Sequence, residues 1–176
     1  MRFEATDLGG AWLIHVEPNH DSRGFFARTF CANEFQAHGL ETDFPQHSIS
    51  RSFQKGTVRG MHFQREPHGE IKLVRCISGA ICDVIIDLRP ESPTFRQWRA
   101  FDLSDENGCQ LYIPKGFAHG FQTLRDNAQV NYLISEFFTP EASSGVCYND
   151  PAFGISWPLP VTMISEKDLL WPKFAN

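Results

Sequence analysis

No stretch of the chain approaches the roughly 18 consecutive apolar residues that a membrane-crossing helix needs, so no membrane is expected as a partner. Positive charge is also short. The chain carries 16 Lys and Arg against 21 Asp and Glu, a formal charge of −5, which gives no global attraction to nucleic acid or anionic lipid. Five cysteines (Cys31, Cys76, Cys82, Cys109, Cys147) form no C-x-x-C pair and no regular spacing. That pattern excludes a disulfide framework or zinc knuckle and fits free thiols in a reducing compartment. The opening segment Met1-Arg-Phe-Glu-Ala-Thr-Asp7 is acidic early and lacks an apolar core, so a cytoplasmic location is expected. There is no G-x-G-x-x-G unit and no Walker loop to bind a nicotinamide cofactor or cradle a nucleotide triphosphate. Repeats, low-complexity tracts and linkers are absent too, and residues 1–176 read as one domain.

What the chain does have is phenylalanine, 16 against only 3 Tyr, a composition suited to aromatic packing in a β-rich fold. Beyond residue 45 short apolar runs alternate with turn signals every 8 to 12 residues or so, the pattern of a sandwich or barrel. Strands are expected over Trp12–Glu17, Gln46–Ser52, Ile71–Ile77, Ala80–Leu88, Gln97–Leu103, Gln110–Ile113, Gly116–Thr123 and Gln129–Phe137. In Ala80–Leu88, Cys82, Val84, Ile86 and Leu88 point one way while Asp83, Ile85 and Asp87 point the other. One short helix is expected, Asn33 to His38, with Asn33 as N-cap and Gly39 beyond its C-terminus. Eight or more strands and little helix predict an all-β, double-sheet jelly roll with short peripheral helices.

The segment Gly108-Cys-Gln-Leu-Tyr-Ile-Pro114-Lys-Gly116-Phe-Ala-His119 reads as strand, Pro-Gly turn and second strand delivering a histidine inward. It resembles the second motif of the cupin barrels, G-x5-P-x-G-x2-H. Aligning the first cupin motif on Gly79 puts Lys72 where a metal-ligating Glu should stand and Glu66 and His68 where its two histidines should be. An ammonium facing a divalent ion in a low-dielectric cavity is repulsive, so the barrel is expected without the metal.

A resemblance over nearly the whole chain is more specific. Ser22-Arg-Gly-Phe-Phe26, Val58-Arg-Gly-Met-His-Phe-Gln64, Lys72-Leu-Val-Arg75, Asp87-Leu-Arg89 with Ser92-Pro-Thr-Phe95, Ile113-Pro-Lys-Gly-Phe-Ala-His-Gly-Phe121, Asn149-Asp-Pro151, Gly154-Ile-Ser-Trp-Pro158 and Ser165-Glu-Lys-Asp168 occur in order. Their order and spacing resemble those of the dTDP-4-dehydrorhamnose 3,5-epimerases. The resemblance implies a cofactor-free enzyme, generally a homodimer, acting on a nucleotide-diphosphate sugar inside the barrel. Carried over position by position, it implies His62 as base, Asp168 as its carboxylate partner, Lys72 beside the enolate oxygen and Tyr132 as the acid on the opposite face. It further implies Arg23, Phe26, Arg28, Gln46, Ser48, Arg59, His119 and Phe137 around the nucleotide and sugar.

The chemistry has its own logic. In a 4-ketohexose the carbonyl acidifies the protons on C3 and C5, and inversion requires removal from one face and return to the other. A base, an oxyanion stabiliser and an opposite-face acid suffice. Read without the motif, Lys72 would be a surface lysine on an edge strand, Tyr132 plain packing, and Ser165–Asp168 an exposed charged turn. Three departures from the family pattern stand out: Arg28 replaces a carboxylate, Ser48 an amide, and Phe137 and Phe138 two tyrosines. They lie around the base in the family, so thymidine is not expected to be favoured over other nucleotide carriers. A metal-dependent cupin oxygenase or isomerase and a non-catalytic sugar-nucleotide-binding barrel are the alternatives.

Overall fold

The computed structural model describes residues 1–174. Strands β1 (Arg2–Ala5), β2 (Trp12–His15), β3 (Asn19–Asp21) and β4 (Gly24–Phe26) precede helix α1 (Ala32–Ala37). Then follow β5 (Gln46–Ser52), β6 (Val58–Gln64), β7 (Lys72–Ser78), β8 (Ala80–Asp87), β9 (Trp98–Ser104) and β10 (Cys109–Ile113). The chain continues through β11 (Phe117–Thr123), β12 (Ala128–Ile134), β13 (Ser143–Gly145) and the four-residue helix α2 (Glu166–Leu169). Two sheets form the jelly roll, one ordered β1-β2-β10-β7-β12-β5 and the other β13-β6-β11-β8-β9, with β3 and β4 as a separate hairpin. All pairings between these strands are antiparallel.

Every expected strand is present within a few residues of its expected ends. Among the described residues β1, β3, β4, β6 and β13 are additional. The expected helix is also there, but its N-cap is Cys31, without a side-chain cap bond, and Asn33 lies inside the first turn. An asparagine that caps through its side-chain carbonyl oxygen needs extended backbone at its own residue, and here Cys31 has that conformation (φ −148°, ψ 115°). Gly39 does follow the helix in the left-handed region, φ 69°.

The phenylalanines are distributed over three cores. Between the sheets, Val74, Leu111 and Val130 from one meet Ile81, Ile85, Phe117 and Phe121 from the other. The outer face of the second sheet, including Cys82, Val84 and Ile86, is covered by Val146, Phe153, Ile155, Trp157 and Phe174. Outside the first sheet, Ile14, Leu73 and Tyr112 pack under Phe3, Phe30, Phe35 and Phe44. Because segments cover sheet faces on the outside, β8 is buried on both sides and its alternation in polarity marks interior against exterior, not core against water. Its interior side chains include two carboxylates, Asp83 and Asp87, both without exposed surface.

Asp87 closes one corner of the barrel. Its Oδ1 accepts from the Arg89 amide at 3.0 Å and from Arg89 Nε at 2.8 Å, while Oδ2 accepts from Arg89 Nη2 and the Thr94 hydroxyl, each at 2.7 Å, and from Ser92. The Arg89 guanidinium in turn lies 4.6 Å from the centre of the Phe117 ring. The recurring string Asp87-Leu-Arg89…Ser92-Pro-Thr94 is therefore a structural knot. Burial works to raise the Asp87 pKa, but the hydrogen bonds from Arg89, Ser92 and Thr94 outweigh it and hold the carboxyl at about 2, against 3.8. A carboxyl depressed on folding stabilises the protein fully above its unfolded pKa, and that stability fades as pH falls from about 3.8 through about 2. The shift corresponds to about 2 kcal/mol at neutral pH. Asp87→Ala is expected to lower Tm by about 5 °C or more at pH 7. The loss should shrink in thermal melts below pH 3, and an acid-independent loss would contradict the assignment.

Candidate active site

The interior left unfilled by apolar side chains is a cavity of about 600 Å³. Strands of both sheets line it. From β6 come Arg59 and His62, from β11 His119, from β5 Gln46, Ser48 and Ser50, from β7 Lys72, and from β12 Tyr132; α2 adds Lys167 and Asp168. The three β5 residues alternate at i, i+2, i+4, so one pleat face delivers all three.

His62 and His119 are register partners on β6 and β11, which is broken by an irregularity just after His119. The close approach of these strands depends on glycine. A Cβ on Gly60, at φ 147°, would stand 2.6 Å from Gly120 Cα, and one on Gly120 would stand 2.7 Å from the Arg59 carbonyl oxygen. Only glycines fit at this crossing.

Each histidine is tied to a carboxylate. His62 Nε2 lies 2.6 Å from Asp168 Oδ1, and His119 Nε2 lies 2.7 Å from Asp83 Oδ1. An ionised carboxylate can only accept, so each Nε2 carries the proton and leaves Nδ1 as the basic nitrogen. Asp168 is buried on α2, the segment that reads in sequence as an exposed turn. Its amide donates to Ser165 Oγ at 3.1 Å, while its carboxylate also accepts from Trp171 Nε1 at 3.2 Å and more weakly from the Gly60 amide at 3.4 Å. Burial would raise its pKa, but the bond and charge of His62, with the Gly60 and Trp171 donors, bring the net shift downward. Gly145 on β13 makes room for Trp171, whose ring lies 2.6 Å from where a Cβ would stand. Asp168→Asn should leave His62 in place with poorer tautomer control, so its kcat loss is expected to be smaller than that of His62→Ala. An equal or larger loss in steady-state assays would mean that Asp168 does more than orient the ring.

Tyr132 stands on the opposing sheet, its hydroxyl 3.1 Å from Ser50 Oγ. Its pKa is raised, chiefly by burial and further by the charge of Asp83, against the Ser50 bond and Arg59. The phenol therefore keeps its proton across and beyond neutral pH. Lys72 lies on β7, an internal strand between β10 and β12, with its ammonium 2.8 Å from Glu70. It is thus a buried-sheet lysine facing the cavity, not a surface residue.

Eight of the twelve residues singled out from sequence line this cavity: His62, Asp168, Tyr132, Lys72, Arg59, His119, Gln46 and Ser48. Four lie outside it. Arg23 sits at the turn of the β3–β4 hairpin, paired with Asp21, and Phe26 is exposed on the same hairpin. Arg28 pairs with Glu34, and Phe137 is exposed, contributing its carbonyl to Gln64 Nε2. Phe138, in contrast, lines the cavity. Sequence reasoning missed Asp83, Ser50, Glu70, Lys167 and Trp171. Two had a usable signal: Asp83 is a charge amid Val and Ile on an interior-facing register, and Ser50 continues the i, i+2 series of Gln46 and Ser48.

The residues weighed for a metal do not converge. Glu66 and His68 follow β6 on a loop and are not among the cavity-lining residues, unlike His119 and Lys72. Among the described residues no three His, Cys, Asp or Glu side chains are grouped to hold a metal ion. Nor is any described helix long and apolar enough to cross a membrane.

The family model described as dTDP-4-dehydrorhamnose 3,5-epimerase matches residues 5–176. A curated relative of that name from Methanothermobacter thermautotrophicus is 48% identical over 175 residues, 97% of this chain and 93% of its own. The solved dTDP-4-dehydrorhamnose 3,5-epimerase of Bacillus anthracis, with TDP and PPi bound, superposes with a TM-score of 0.96 at 40% identity, covering 98% of this chain and 99% of that one. A 3'-monoepimerase from Streptomyces bikiniensis, in complex with dTDP-quinovose, superposes at 0.89 with 31% identity, covering 97% and 86%.

Proposed function

Because the chain belongs to the dTDP-4-dehydrorhamnose 3,5-epimerase family, we propose that it is an isomerase that inverts C3, C5 or both in a nucleotide-linked 4-keto-6-deoxyhexose. One observation carries the mechanism: the His62–Asp168 pair and the Tyr132 phenol come from opposed sheets and line the same cavity. A substrate ring between them has a base on one face and an acid on the other. His62 Nδ1 takes the proton beside the C4 carbonyl, and the carbonyl oxygen gains the charge of an enolate. Lys72 offers its ammonium to that oxygen. Tyr132 O–H returns a proton to the opposite face, and the configuration is inverted.

Arg59 binds the diphosphate, and His119 a polar group of the sugar. Gln46, Ser48 and Phe138 sit where a nucleotide base would be read. The relatives' names point to a deoxythymidine carrier, and Ser48 and Phe138 are the two departures that face the cavity. No metal or organic cofactor is needed for this chemistry.

The whole chain acts as one catalytic domain and works as a homodimer in the cytoplasm. Supporting the dimer, the β3–β4 hairpin with Arg23 lies off the cavity of its own chain and exposes Phe25 and Phe26, as Ile49 and Phe53 are exposed on and beside β5. A second copy would cover this apolar surface, and light scattering at twice 20.0 kDa would bear it out. Five free thiols suit a reducing compartment.

NMR in deuterated water tests the reaction. The 4-keto-6-deoxyglucose linked to thymidine, cytidine, uridine or guanosine diphosphate is expected to gain deuterium at C3, C5 or both, with the thymidine carrier preferred by no more than about tenfold in kcat/KM. The position of deuterium separates double from single inversion. No exchange with any carrier would favour a binding protein, and activity abolished by chelator would favour a metal enzyme.

A further inference from the structure

Among the described residues two carboxylates line the cavity, Asp168 and Glu70. Asp168 is committed to His62, Trp171 and Gly60. Glu70 has no part in that network, and its negative charge opposes the entry of a diphosphate unless some donor on the substrate makes use of it.

The backbone holds Glu70 firmly. It lies two residues before Lys72, the first residue of β7, and between them Ile71 is locked to Ser135, just beyond β12. The Ile71 amide donates to Ser135 Oγ at 2.9 Å, and the Ile71 carbonyl accepts from the Ser135 amide at 3.0 Å. The pairing of β7 with β12, which includes Lys72 opposite Ile134, thus runs on past the end of the strand, and a two-residue period brings Glu70 and Lys72 to the same interior face. Their charged groups meet at 2.8 Å, each side chain 12% exposed. No other donor among the described residues hydrogen-bonds to this carboxylate, and a carboxylate accepts through both oxygens, so acceptor capacity is left on the cavity side.

On the reading that Lys72 binds the C4 oxygen of a 4-keto-6-deoxyhexose, the two flanks of that carbonyl are chemically unlike. C3 carries a hydroxyl, whereas C5 carries a methyl group and the ring oxygen, neither of which can donate. The hydroxyl on C2 lies one carbon farther from the ammonium. We propose that Glu70 accepts a hydrogen bond from the C3 hydroxyl, so that Lys72 and Glu70 grip neighbouring oxygens of the sugar and fix which flank of the ketone faces β7. Glu70 is then a specificity-determining residue. A sugar without oxygen at C3 leaves the carboxylate desolvated and unmatched, and a site built around a hydroxyl rejects the analogue that lacks it.

The test sets Glu70→Ala against a deletion in the substrate, using 4-keto-6-deoxyglucose linked to thymidine diphosphate and its 3-deoxy counterpart. Both sugars keep exchangeable protons beside the carbonyl, so NMR in deuterated water gives kcat/KM for deuterium entry with each. The substitution is expected to lower it at least about tenfold more for the hydroxylated sugar than for the deoxy sugar, a coupling of roughly 1.4 kcal/mol. Losses that act through Lys72 or through impaired folding fall on both sugars alike and cancel in this ratio. An equal loss with both sugars, or none with either, would overturn the proposal and leave Glu70 as the counter-ion of Lys72 alone; a larger loss with the deoxy sugar would overturn it too. Where a sugar is not exchanged, calorimetric affinities of the same four protein–sugar pairs decide the point on the same tenfold criterion. A wild-type protein that exchanges neither sugar would sink the proposed function instead.

Discussion

His62→Ala is expected to lower kcat at least about 100-fold while the affinity for nucleoside diphosphate stays within about twofold of wild type. General-base removal typically costs two to four orders of magnitude, and the cavity cations Arg59 and Lys167 are separate side chains. The imidazole is the side chain placed for the work. Its Nε2 is committed to Asp168 at 2.6 Å, the carboxylate accepts from two further donors, the Gly60 amide and Trp171 Nε1, and Nδ1 is left for the substrate. Water filling the space of the lost ring cannot reproduce this, because water is a far weaker base than an imidazole whose reference pKa is near 6.5. Rapid-quench or coupled steady-state kinetics measure kcat, and titration calorimetry measures binding. Turnover near wild type would place the base elsewhere, with His119 and its partner Asp83 the next pair to examine. A parallel loss of nucleotide affinity would instead mean that the ring shapes the cavity.

How much of this site is legible in the sequence depends on how each residue is brought there. Alternation along a strand is local, so the interior set Gln46 and Ser48, and the strands that carry them, follow from a two-residue period. Tyr132 and His119 sit inside apolar runs that announce strands by composition. The β6 strand is harder, because Val58-Arg-Gly-Met-His-Phe-Gln64 mixes charge, glycine and apolar residues with no clean period. Its reason is tertiary: Gly60 must cross Gly120 at a distance no side chain allows. Asp168 is harder again. Ser165-Glu-Lys-Asp168 has the composition of a solvated turn, and what buries it is Trp171 lying over Gly145, a contact between residues 26 positions apart on different elements. Only the family resemblance pointed there. Arg23, Phe26 and Arg28 show the opposite case, since their motif is plain but this chain alone does not bring them to the cavity.

Tyr132→Phe is expected to divide the reaction in two. The substitution removes one hydroxyl, keeps the ring that packs against the interior core, and leaves His62 with Asp168 untouched. The base can still take the proton beside the carbonyl and return one from solvent to the same face. Deuterium should therefore enter C3 or C5 of unreacted substrate at a rate within about tenfold of wild type, while inverted product forms at least about 100-fold more slowly, the range in which removal of a positioned acid falls. NMR in deuterated water reads both quantities from one sample. The pH profile adds an independent check. Burial raises the Tyr132 pKa above its ordinary value near 10, with Asp83 adding to the effect. The phenol thus stays protonated up to and beyond pH 10, and loss of its proton cannot produce a falling alkaline limb in the wild-type rate below that pH. Such a limb, present in wild type and absent from the phenylalanine variant, would contradict the raised pKa. Exchange and inversion lost together would contradict the role itself, because a hydroxyl that only held the barrel in shape would disable the base and the acid alike.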